Sequence, residues 1–75
     1  MQFIQETGFS FELDQIATES RAVDSLMRCV ENACRCAIMR GFEYGRLNWR
    51  GERCLVWFSA NGDTVTLRSI VPADP

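Results

Sequence analysis

Histidine and lysine are both absent from this 75-residue chain, whose eight basic residues are all arginine. Without them the chain has no imidazole to act as a general base near neutral pH or to ligate a metal, and no lysine amine for Schiff-base chemistry. Most enzyme mechanisms lose a central member in this way, so an enzyme working alone is the least expected class. Arginine without lysine has two explanations, coding bias in the source genome or selection for bidentate and stacking contacts. Uninterrupted apolar runs are short, well under the ~20 residues a membrane span requires. The opening "MQFIQETGF" lacks the basic start and apolar centre of a secretory signal. The expectation is a soluble, cytoplasmic protein with no membrane partner. Low-complexity tracts and internal repeats are also missing, which argues against disorder.

What is present suits one small folded domain over residues 1–75. Hydrophobic residues make up 47% of the chain, near the size at which a single core is only marginally sufficient. The net charge is −2, with a pI near 4.9. Its distribution is uneven: acids outnumber arginines up to residue 39, and arginines outnumber acids from 40 to 71.

Phe9, Phe11 and Leu13 alternate with Ser10 and Glu12, a period of two that predicts a half-buried strand. Thr7-Gly8 would turn the chain from an earlier short strand over 2–5, or Gly8 would be a bulge in one longer strand. From about Thr18 to Arg40 the period becomes helical. Val23, Leu26, Met27, Val30, Ala33, Cys34, Ala37 and Ile38 form one apolar stripe, opposite charges that alternate in sign from Arg21 to Arg35. Gly41 suits a left-handed C-cap, and Asp14, Thr18 or Ser20 would cap the start.

Two strand-like runs flank Asn61-Gly62 in "CLVWFSANGDTVTLRSIV", a pair suited to a two-residue hairpin turn. The register that follows pairs Ala60 with Asp63, Phe58 with Val65, Trp57 with Thr66, Val56 with Leu67 and Leu55 with Arg68. A further strand over "YGRLNW" would turn at Gly51-Glu52, leaving Trp49 opposite Cys54. One face then collects Leu47, Trp49, Cys54, Val56, Phe58, Val65 and Leu67 for the helix to cover. The other carries Tyr44, Arg46, Asn48, Leu55, Trp57, Thr64, Thr66 and Arg68, with Trp57 flanked by Arg46. The expected fold is therefore α+β: one or two N-terminal strands, one long helix, then a three-stranded antiparallel meander, with the helix on one sheet face.

Three of the four cysteines lie within "RCVENACRCAIMRG". Cys34 and Cys36 diverge by about 200° around a helix, so they do not converge as zinc ligands, and a C-x-x-C pair at a helix start is missing. No metal and no cofactor are expected. Cys34 and Cys54 fall at core positions. Ser25, Cys29, Asn32, Cys36 and Met39 instead form a second seam of mostly small residues on the flank of the stripe, a candidate homodimer contact or the ordinary border of the core.

The helix followed by three antiparallel strands, with "GDTVTLRSI" as the last strand, resembles at the level of topology the bacterial ribonuclease toxins of the RelE and ParE type. That resemblance covers about the final thirty residues. It implies an RNA-directed activity, for whose cleavage chemistry the chain offers neither lysine nor histidine. The expected function is a non-enzymatic protein-binding module, of the kind carried as inhibitors or regulators by phages and mobile elements. Tyr44, Arg46, Asn48, Leu55, Trp57, Thr66 and Arg68 would bind the protein partner. A nucleic-acid-binding protein or RelE/ParE-like toxin is the alternative, since tryptophan stacking beside arginine also suits single strands, although the overall acidity opposes binding along a polyanion.

Overall fold

The computed structural model describes residues 1–73. Its elements are β1 (Gln2–Gln5), α1 (Thr7–Ile16), α2 (Ser20–Met39), β2 (Tyr44–Trp49), β3 (Glu52–Asn61) and β4 (Thr64–Pro72). The strands form one mixed sheet in the order β1-β4-β3-β2. β1 runs parallel to β4, and β2, β3 and β4 are the antiparallel meander. The α+β class, the long helix and the meander are those expected.

The second N-terminal strand is not formed: residues 9 to 13 belong to α1. Phe9 and Leu13, four apart, are buried on one side of the helix, while Phe11 between them is 66% exposed. Over five residues, spacings of two and of four both fit Phe9 and Leu13, and the space above β4 favours the helix. Thr7-Gly8 opens α1 and makes neither the turn nor the bulge.

Helix α2 buries Ala22, Leu26, Val30, Cys34 and Ala37 along its centre line. Its N-cap is Glu19, without a side-chain capping bond, in place of the candidates Asp14, Thr18 and Ser20. The C-terminus closes as a Schellman motif. Gly41 takes φ 78°, its amide donates to Ile38 O at 3.1 Å, and the Phe42 amide donates to Ala37 O at 2.9 Å. At ~1.5 Å per residue, these 20 residues match the 31 Å long axis of the molecule.

Both hairpins turn one residue away from the expected positions. Trp49 pairs with Glu52 and Leu47 with Cys54, so Arg50 and Gly51, at φ 52° and 83°, make the turn. Asn61 pairs with Thr64, placing Gly62 (φ 61°) and Asp63 in a type II′ arrangement. Each displacement shifts the register by two, which leaves the side chains on their expected faces as far as the bulge in β4. Phe58 thus pairs with Leu67 and Ala60 with Val65. A bulge follows between Trp57 and Phe58, where Arg68 is the extra residue on β4, and beyond it Trp57 pairs with Ser69 and Val56 with Ile70. The amide of Ile70 and the hydroxyl of Ser69 both donate to Glu12 Oε1 of α1, at 3.2 and 2.9 Å.

Trp49, Cys54, Val56, Phe58, Val65, Leu67 and Ile70 form one buried cluster with Phe9 and Leu13 of α1 and the centre line of α2. Leu47 packs partly buried against it. α2 lies over β2 and β3, and α1 over β4. Two helices therefore share the one sheet face, and among the described residues the opposite face is left uncovered.

Candidate interaction face

The uncovered face begins where α2 ends. The Schellman turn delivers Phe42 in line with Tyr44, the first residue of β2. Their rings stack at 5.8 Å, with an interplanar angle of 27°. Tyr44 is opposite Trp57 on β3, and those rings lie 5.1 Å apart, tilted by 41°. Offset and tilted pairs at such distances are the favoured aromatic geometry. The run Phe42–Tyr44–Trp57 is half in solvent: Phe42 is 50% and Trp57 44% exposed.

The arginines share this face but are placed differently from the sequence expectation. Arg46 is opposite Leu55, so Trp57 is flanked by Tyr44 and not by Arg46. Thr66 is opposite Ser59 rather than Trp57. Arg68, in the bulge, donates from Nη1 to Ser59 Oγ at 3.2 Å and lies 3.8 Å from a Glu6 carboxylate oxygen. Asn48 is opposite Arg53, and its side-chain oxygen accepts the Gly51 amide at 3.1 Å. Tyr44, Arg46, Asn48, Leu55, Trp57 and Thr66 thus share one face by strand alternation, with Arg68 at its margin. Phe42, Arg53 and Ile4 join them without having been expected. Phe42 and Arg53 keep the alternation of their neighbours, a readable signal. Ile4 arrives only through the parallel pairing of β1, opposite Thr66.

The strands on the uncovered side carry Arg46 and Arg53, with Arg68 beside them. Glu12, Asp14, Glu19, Asp24 and Glu31 lie on or beside the helices, with Arg21, Arg28 and Arg35. Among the described residues the ion pairs are Arg68–Glu6 and Arg35–Glu31, and neither engages Arg46 or Arg53. Two guanidinium groups therefore face solvent on the aromatic side.

All four cysteines are free thiols. Burial pushes the Cys34 thiol up to about 12, with Glu31 adding to the effect and Arg35 opposing it. Cys54 is raised as well, by burial first and by Glu52 second. Both are neutral near physiological pH and behave as small apolar groups. Among the described residues no three His, Cys, Asp or Glu side chains gather as a metal site. On the α2 flank, Ser25 is exposed and its Oγ accepts the Trp49 indole N–H at 3.2 Å. Cys29 is half-buried against the core, Asn32 and Cys36 are exposed, and Met39 is 88% exposed at the helix end.

Among the described residues no helix is long and apolar enough to cross a membrane. Comparison of the chain with protein families, curated proteins and solved structures gives no match.

Proposed function

We propose that this protein is a non-enzymatic binding module that docks a partner protein on the uncovered face of its sheet. The observation that carries the reading is the Phe42–Tyr44–Trp57 run, left half-exposed with Arg46 and Arg68 beside it and Arg53 farther along the same face, while both helices pack on the opposite side. Aromatic residues and arginine are the usual anchors of protein interfaces, buried at the centre and bounded by polar groups. The arginines suit a partner surface that offers carboxylates around an apolar centre. Its small size and acidity also fit an inhibitor or regulator of the type phages and mobile elements carry.

The test is recovery of a partner from host lysate on the immobilised protein, with half the sample treated with nuclease. A single protein band that resists nuclease, and that Trp57→Ala weakens by ~2 kcal/mol or more as loss of a central anchor does, is the expected result. Nuclease-sensitive recovery would replace this reading with single-stranded nucleic acid stacked on the same rings.

A further inference from the structure

The sheet ends on β1 and β2, and the two edges differ. β1 has four residues and β2 has six. The Phe58 amide donates to Glu43 O at 3.3 Å. Because ladder bonds alternate along an antiparallel pair, Gly45, Leu47 and Trp49 also turn their backbone groups toward β3. Tyr44, Arg46 and Asn48 therefore turn their N–H and C=O groups outward. Proteins commonly blunt such an edge with proline, charged side chains or a bulge. β2 has no proline and a single charge, at Arg46, and its pairing with β3 runs without a register shift.

Helix α2 is aligned with this edge. Ser25 bonds Trp49, and Ala33 backbone atoms lie about 3 Å from where a Cβ on Gly45 would stand. Cys29, midway between Ser25 and Ala33, is thus level with Leu47, midway between Trp49 and Gly45. Both Cys29 and Leu47 are only partly buried at the border of the core.

We propose that a second copy of this chain adds antiparallel to the β2 edge, about a two-fold axis through Leu47. The side-chain pattern selects that axis. Centred on Leu47, Arg46 of each copy lies opposite Asn48 of the other, and the two Leu47 side chains meet beside the two Cys29 residues. Centred on Arg46 or on Asn48, arginine would face arginine, and centred on Gly45 only residues 44–46 of the strand would pair. α2 runs antiparallel to its counterpart across the same axis, bringing Ser25 near Asn32 of the second copy, while Met39 stays outside the contact. The small-residue flank and the open strand edge thereby become one self-complementary surface. The contact shares Arg46 with the proposed docking face, but it does not depend on what docks there.

Sedimentation of the full chain from micromolar to millimolar concentration should find a reversible dimer. Asn48→Asp keeps an acceptor for the Gly51 amide and places a carboxylate opposite Arg46 twice per dimer, so association should tighten several-fold and become more sensitive to salt. Arg46→Pro removes an outward amide without touching the β3 ladder, and should weaken association by about tenfold or more. If that variant melts early, Asn48→Asp alone decides. A wild type that stays monomeric at millimolar concentration overturns the proposal, as does a dimer whose affinity Asn48→Asp leaves unchanged, which would place the contact elsewhere.

Discussion

The two tryptophans have opposite settings although they lie eight residues apart on adjoining strands. Trp49 is 7% exposed, donates to Ser25 Oγ and carries the Arg50 guanidinium 4.5 Å over its ring. Trp49→Ala removes a buried aromatic from a small core and should cost ~3–5 kcal/mol. Trp57 loses mainly its tilted contact with Tyr44, so Trp57→Ala should cost about 1 kcal/mol. Urea denaturation of the two variants measures both. Equal destabilisation would mean that the uncovered face is a buried one, and the docking reading would fall with it.

At the scale of elements, the close contact between α2 and β2 depends on one missing side chain. A Cβ on Gly45 would stand 2.9 Å from the carbonyl oxygen of Ala33, 3.0 Å from its carbonyl carbon and 3.2 Å from its Cβ. The obstacle is largely helix backbone, which cannot swing aside as a side chain does. Gly45→Ala should therefore separate helix from strand and cost roughly 1–3 kcal/mol, the usual range for overpacking, with the loss read as a lowered urea midpoint. The α1–β4 contact is secured differently. The bulge at Arg68 leaves the Ile70 amide for Glu12 rather than for the β3 ladder, so a helix carboxylate satisfies what the strand irregularity exposes.

For the molecule as a whole, stability resides in the single core between two layers, and that core encloses two thiols. Cys34 titrates at about 12, against an ordinary value of 9.0, and Cys54 is shifted in the same direction. In the unfolded chain both ionise near the ordinary value. Their contribution is thus fully present below pH 9 and is lost progressively as pH rises toward the folded value. For Cys34 the slope approaches ~1.4 kcal/mol per pH unit in that window. Unfolding free energies measured at about pH 8 and about pH 10 should show the decline, and Cys34→Ala should reduce it. An unchanged slope in that variant would show that Cys34 is not sealed from solvent.

The long helix, its Gly41 stop and the two faces of the meander were readable from residue order, because periods of 3.6 and 2 assign a side chain to a face before any partner strand is known. That is why Trp49 and Trp57 were sorted correctly although both turns were misplaced by one residue: a register error of two preserves the face. Which residues become neighbours was decided in three dimensions. The turn at Arg50-Gly51, with Arg50 at positive φ, placed Tyr44 rather than Arg46 beside Trp57, and the bulge at Arg68 placed Ser69 opposite Trp57 on the other side; neither feature has a strong local sequence signature. Phe9 to Leu13 were equally open to strand and helix. The vacant surface over β4 settled them, since only a helix directs Phe9 and Leu13 together into the core while leaving Phe11 in solvent. The parallel docking of β1 beside β4 was likewise invisible, because its four residues acquire their place from an edge that the rest of the chain must first build.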